Sequence, residues 1–261
     1  MKSKKAFILT ITMLFIATFA LSQELIQYPA GSLYLKIKGE GGKNGAAVVY
    51  NPVENLYYCV MAGNSVYPLE TFDRNGKNIY QAEAYNDMRG MWWNPKEKAL
   101  EGNCYLDGGI VSIGLTERGH AGTGNRVIFE GSEFQPFENA CGTYNPKSKE
   151  ILYYQDGIVL GYSRKDGRAT DTYIKLALPV EEEEINWVSL IFTGKKGMEL
   201  GVLDVYAKKV YLFSFKDGSH SATVNLPKSA MVYEAFNFSY ANDYIFLFDQ
   251  DERKWTGYRI F

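Results

Sequence analysis

The sequence predicts an all-β protein, a β-propeller of five four-stranded blades, and three observations carry that reading. Strand-like runs rich in apolar, β-branched and aromatic residues recur every 8 to 12 residues, the rhythm of short strands joined by tight turns. An aromatic-Asn-Pro tripeptide returns with a period close to 48 residues, about the size of one blade. A glycine-bearing turn repeats in phase with it.

The runs come first. No stretch sustains helical periodicity, because Pro, Gly and β-branched or aromatic residues break every candidate. Strands are expected at 46–50, 56–61, 69–72, 91–93, 110–115, 151–154 and 158–162, then at 188–192, 200–206, 210–215, 235–240, 244–248 and 255–261. The 20 Tyr, 15 Phe and 25 Gly of the 261-residue chain suit such a protein. The tripeptide Tyr50-Asn51-Pro52 recurs as Trp93-Asn94-Pro95 and Tyr144-Asn145-Pro146, with Phe192-Thr193-Gly194 and Tyr240-Ala241-Asn242 in the same place. From 51 through 94, 145 and 194 to 242 the steps are 43, 51, 49 and 48 residues. The aromatic is expected to end a buried strand, Asn to tolerate unusual backbone angles, and Pro to stop ladder pairing. The second marker is the turn at Asn75-Gly76, Arg118-Gly119, Asp166-Gly167 and Asp217-Gly218, whose glycines suit the positive φ of tight hairpins.

Closure follows from counting. After Ala235 three strands remain, and the missing fourth is expected from Ser32 to Lys38, where Leu33, Leu35 and Ile37 alternate with Tyr34, Lys36 and Lys38. This gives five blades, with six the competing count.

Lys2, Lys4 and Lys5 precede an almost unbroken apolar stretch from Ala6 to Phe19, and Ala20-Leu21-Ser22 places small residues before Gln23. That is the layout of a signal peptide over residues 1–22, with mature protein beginning at Gln23. An uncleaved anchor is the alternative. No later run approaches the ~18 consecutive apolar residues of a spanning helix. The expectation is a secreted or periplasmic protein, with no membrane insertion after signal removal and residues 23–261 forming one propeller domain.

The segment Val48-Val49-Tyr50-Asn51-Pro52, Leu56-Tyr57-Tyr58, Ala62-Gly63-Asn64 and Phe72-Asp73-Arg74-Asn75-Gly76 resembles one NHL-type propeller repeat. The resemblance covers about 30 residues of the first blade. Later blades keep only the aromatic-Asn-Pro and x-Gly turns. It implies a propeller and no particular reaction, because one fold hosts many functions.

Chemistry-bearing residues are sparse. The net charge is −2, and no basic stripe follows the signal, so no nucleic-acid partner is expected. Cys59, Cys104 and Cys141 lie in apolar runs as small buried hydrophobes; a single bridge, if formed, would join Cys104 and Cys141. His120 and His220 sit beside outer hairpin turns, leaving little material for a zinc site or a Ser-His-Asp triad. Glu181–Glu184 and Asp249–Glu252 lack the spacing of a calcium loop. Neither a metal site nor a cofactor is expected.

In a propeller, the loop leading into each innermost strand opens at one end of the central channel. Those loops carry Asp87, Arg89, Trp92, Glu138, Asn139, Asn186, Trp187 and Glu234, which are the candidate ligand-binding residues. Aromatic faces with nearby amides and charges suit amphipathic ligands, while a Trp that packs between blades is the structural alternative. Two functions follow. One is a binding or interaction module for a glycan, peptide or protein. The alternative is a glycosidase-like enzyme using Asp87, Glu138 and Glu234, by analogy with five-bladed arabinanase-type enzymes.

Overall fold

Each sequence repeat folds into one antiparallel sheet. The structure, a computed structural model, describes residues 24–27 and 31–261; the signal-peptide reading of residues 1–22 lies outside them. The chain opens with β1 (Glu24–Gln27) and β2 (Leu33–Lys36). Blade 1 comprises β3 (Asn44–Asn51), β4 (Leu56–Ala62), β5 (Pro68–Asp73) and β6 (Asn78–Glu83). Blade 2 comprises β7 (Met88–Asn94), β8 (Ala99–Cys104), β9 (Ile110–Leu115) and β10 (Ala121–Phe129). Blade 3 is β11 (Thr143–Asn145), β12 (Glu150–Gln155), β13 (Ile158–Ser163) and β14 (Ala169–Lys175). Blade 4 is β15 (Ile191–Phe192), β16 (Leu200–Asp204), β17 (Lys209–Phe213) and β18 (His220–Asn225). Blade 5 is β19 (Phe238–Ala241), β20 (Tyr244–Asp249), β21 (Lys254–Arg259) and, outermost, β2. The innermost strands β3, β7, β11, β15 and β19 are neighbours in that order, and β19 returns to β3. The ring has five blades.

Closure occurs where the alternation places it. β2 pairs antiparallel with β21, Leu33 opposite Gly257 and Leu35 opposite Trp255. Leu33, Leu35 and Ile37 are buried and Tyr34 is half exposed. Two charged groups lock the join. The buried Glu70 carboxylate accepts the backbone N–H groups of Lys38 at 3.0 Å and Gly39 at 2.6 Å. Arg253 donates to the carbonyls of Gly39, Gly41 and Gly42 at 2.6–2.8 Å. Unanticipated in the sequence is β1, which lies parallel to β18 with Glu24 opposite Ala222. The N-terminal segment therefore joins two blades.

Hydrophobic packing divides into five clusters, one at each interface between consecutive blades. Trp255, Tyr57, Phe246 and Phe248 fill the interface of blades 5 and 1, where the ring is sealed. This is the propeller's version of sheet-on-sheet packing.

The turns also differ from expectation in one respect. Asn51, Asn94 and Asn145 are buried, but none has a positive φ; that falls four residues later, at Asn55, Lys98 and Lys149. Each Asn side chain instead accepts the backbone N–H groups two and three residues ahead, as Asn51 does from Val53 at 2.9 Å and Glu54 at 3.4 Å. The asparagine closes the hairpin by hydrogen bonding rather than by unusual backbone geometry. The glycine marker behaves as expected, with φ of +85° at Gly76 and +71° at Gly218.

Several strands fell outside the predicted runs. The outer strands β6, β10, β14 and β18 carry polar residues on their exposed faces, and β8 contains Glu101, Gly102 and Asn103. The run predicted at 188–192 is a strand only over Ile191–Phe192. All three cysteines are buried free thiols, so no Cys104–Cys141 bridge is present.

Candidate functional site

The five innermost strands all run the same way around the channel, so its two ends are chemically different. One end gathers the residues that begin these strands and the other those that finish them. Apart from Trp92, the candidate residues from the sequence lie at the first end, and a cavity opens at the second.

At the starting end, Arg89 at the head of β7 fills the channel. Its side chain is nearly buried and forms an ion pair with Asp87. Nη2 donates to Asp87 Oδ2 at 3.2 Å, Nη1 to the Met88 carbonyl at 3.1 Å, and Nε to Asn139 Oδ1 of blade 3 at 3.0 Å. The guanidinium lies 4.4 Å from the Tyr105 ring centroid and 5.6 Å from that of Phe236, close enough for cation–π attraction. Phe236 reaches in from the loop before blade 5 with φ +55°, followed by Asn237 at +59°, a backbone form that bulky residues adopt only under constraint. The constraint is visible: Asn186 Nδ2 donates to the Phe236 carbonyl at 3.0 Å, and Asn237 Oδ1 accepts the Gly45 N–H at 2.8 Å. Arg89 and Phe236 thus close this end.

The structure brings Asp87, Arg89 and Asn139 together. Exposed Glu138 joins them beside Tyr105, whose phenol is pushed up by desolvation and then by hydrogen bonding to Glu138. Asn186 is fully buried as a loop brace, donating also to the Tyr233 carbonyl at 2.9 Å. Trp187 is 50% exposed and stacks on Phe137 with centroids 5.8 Å apart. Glu234 is exposed, and its backbone carbonyl accepts the Trp187 N–H at 3.0 Å. Arg89 and Trp92, both candidate ligand-binding residues, are only 5% and 4% exposed, and for Trp92 the packing alternative holds. Trp92 packs between blades 2 and 3, stacked on Tyr144. Its Nε1–H donates at 3.1 Å to Glu101, which is also gripped by Arg164 through two 2.8 Å bonds. Glu101 in turn raises the Arg164 pKa by hydrogen bonding. Acidic side chains crowd this end. Glu182 is pushed up by partial burial and then by repulsion from Asp156 and Glu183.

The finishing end is open. A cavity of about 380 Å³ runs down between the innermost strands. Its rim is formed by Tyr50, Trp93, Tyr144, Phe192 and Tyr240, with Pro52, Pro95 and Pro146 beside them. These five aromatics are the first residues of the repeated tripeptide and its variants. Each packs into a different inter-blade cluster and also lines the cavity. The walls are small or apolar: Ala46, Gly90, Gly142, Leu190 and Ala241, with Thr143 and Ser239 as polar points. Cys141 also lines the cavity, but burial pushes its thiol up to about 12, which leaves it unreactive near neutral pH. The cavity lining among the described residues contains no carboxylate, histidine or lysine. The sequence reading used these aromatics only as markers of strand ends. The missed signal was that a residue type repeated once per blade at a strand's end must form a ring around the axis.

A five-bladed β-propeller with one plugged and one open channel end is thus the class the geometry defines. No family model and no curated protein matches the chain. Among solved structures it is similar to the glutaminyl cyclase of Myxococcus xanthus, with TM-score 0.52 and 10% identity over 90% of this chain and 98% of that chain. It is also similar to the nidogen/laminin complex, with TM-score 0.47 and 13% identity over 78% and 72% of the two chains. A third likeness is to the Swd1 β-propeller domain of Myceliophteria thermophila, with TM-score 0.46 and 9% identity over 86% and 85%. At these identities the likeness concerns the fold alone.

Proposed function

We propose that this protein is an exported binding module that takes its ligand into the open end of the propeller channel. The observation that carries the reading is the ring of five aromatic edges around a 380 Å³ cavity. Its size and mostly apolar lining with a few polar points fit a small-ligand site. A ligand body stacking on Trp93 or Tyr240 would be oriented by polar groups of blades 3 to 5 in the lining, Thr143, Thr193, Ser239 and Asn242. The ligand could be a free small molecule or a side chain or sugar presented by a larger partner.

The glycosidase-like alternative has weaker support. It requires Asp87 as one of three cooperating carboxylates. Asp87 is held by Arg89 and by the Gly63 N–H at 3.0 Å, and it lies at the plugged end.

The test uses the full-length exported protein. Its mass should correspond to a chain beginning at Gln23, and an intact 1–22 segment would refute export with cleavage. Ligands found by glycan-array and small-molecule screening should be lost on Thr143→Phe, which fills the cavity, with a melting temperature within a few degrees of the parent. Ligands that bind this folded variant undiminished would remove the channel from the proposal.

A further inference from the structure

The open end carries a charge pattern that narrows the ligand, given the binding reading above. The first hairpins of blades 2, 3 and 4, which border the cavity directly after Pro95, Pro146 and Phe192, bear Lys96, Lys98, Lys147, Lys149, Lys195 and Lys196. Against these six lysines, the corresponding hairpins of all five blades contain four carboxylates, Glu54, Glu97, Glu199 and Asp243. Two of these are already engaged: Lys96 lies 3.3 Å from Glu97 and Lys195 lies 2.9 Å from Asp243. Four lysines around the mouth therefore have no ion-pair partner within 4 Å among the described residues. On the outer hairpins of the same end, Asp73, Glu117, Asp166 and Asp217 sit next to Arg74, Arg118, Lys165 and Lys216 in sequence, so the excess positive charge is concentrated at the mouth.

The plugged end has the opposite sign. Asp107, Glu138, Asp156, Glu234 and the Glu181–Glu184 run belong to the loops and hairpins there. A chain of net charge −2 thus keeps a local cationic mouth over an apolar shaft. Such a separation focuses the field on the opening and attracts anions to it. An apolar cavity beneath a cationic rim is complementary to a molecule with a flat or aliphatic body and one acidic head.

We infer that the open channel binds a small amphipathic organic anion, a free aryl or acyl carboxylate or sulfonate, with its apolar body inside the aromatic ring and its acidic group among the lysines of blades 2 to 4. Anilinonaphthalene sulfonate and phenylnaphthylamine test this as a matched pair, because they share an aromatic body and differ in the anionic group. In fluorescence titrations of the mature protein, the sulfonate should bind at least several-fold more tightly, with an affinity that falls as salt rises. Replacing the exposed Lys96, Lys147 and Lys196 together by Gln should weaken sulfonate binding about tenfold, because each removes one surface charge from the mouth. Binding of the neutral probe should change less than twofold, and Thr143→Phe should abolish binding of both probes. If both bind equally and the lysine replacements alter neither, the anion inference falls while the cavity reading stands. If Thr143→Phe leaves both untouched, the cavity reading falls and this inference with it.

Discussion

The two ends of the channel are built from the same five strands and differ in what their loops do with polar groups. At the plugged end the connections between blades are long, and they turn inward: Phe236 crosses toward Arg89, Asn186 braces the Phe236 loop, and Asp87 and Asn139 accept from the guanidinium. At the open end the strands are joined by tight hairpins, closed locally by buried Asn51, Asn94 and Asn145. A hairpin closed by its own side chain has nothing left to reach inward, so the shaft beneath stays open. The difference teaches that polar residues gathered at a channel mouth can be the plug, while the open cavity is rimmed by residues used as turn punctuation.

The comparison is meaningful only if the ring holds both ends at a fixed diameter, and the largest expected effect tests that. Deleting residues 31–38 removes β2, opening blade 5 and exposing the β21 edge. It also removes buried Leu33, Leu35 and Ile37, at about 1.5–3 kcal/mol each. Glu70 loses the Lys38 N–H, one of its two backbone donors. The total approaches the ~5–15 kcal/mol stability of a typical domain. Circular dichroism melting should show no cooperative transition, and a transition at the parent temperature would make β2 an accessory strand.

An intermediate effect ranks the two ends energetically. Glu101, under the aromatic ring of the open end, is 1% exposed and holds Arg164, Trp92 and Asn94. Glu101→Ala leaves a largely buried cation unpaired and should cost about 3–5 kcal/mol. Arg89→Ala leaves Asp87, whose side chain is 26% exposed and can rehydrate, so a smaller loss of about 2–3 kcal/mol is expected. Urea denaturation with unchanged slope would give both numbers. The reverse ranking would mean that the plug, rather than the inter-blade clamp, is the stronger brace.

The blade count, the closing strand and the glycine turns were legible because they depend on periodicity and on backbone rules that act locally. Leu33, Leu35 and Ile37 announced a two-faced strand before any partner was known. The outer strands and β8 were not legible, because solvent on one side, or a buried ion pair such as Glu101–Arg164, allows polar residues in a strand. The grouping of the candidate residues was legible, but not what they face. The residues expected to form the site do converge, Asp87, Arg89, Asn139 and Glu138 among them, but they converge on one another. Whether a charged residue at a channel end faces solvent or a counter-charge depends on contacts between distant blades. Arg89 and Phe236 lie 147 positions apart, and no local pattern encodes that distance.

The smallest expected effect separates the ends most directly. Trp187 and Trp92 are the same residue type, both in the set expected to line the site, yet one is 50% exposed and the other 4%. Trp187 stacks on Phe137 on its protein side, so Trp187→Ala should lose the roughly 0.5–1.5 kcal/mol of an aromatic pair plus some partly buried area. That remains below the ~3–5 kcal/mol of a large core aromatic, which Trp92→Ala should approach, since its indole is sealed between blades and its N–H serves Glu101. The decisive readout is binding. Trp187 stands on the plugged end, away from the aromatic rim, so Trp187→Ala should leave the affinity for anilinonaphthalene sulfonate within twofold of the parent. A tenfold loss in this variant, with its melting temperature nearly intact, would place the ligand at the end where Asp87, Glu138 and Glu234 stand, and the open channel would then need another explanation.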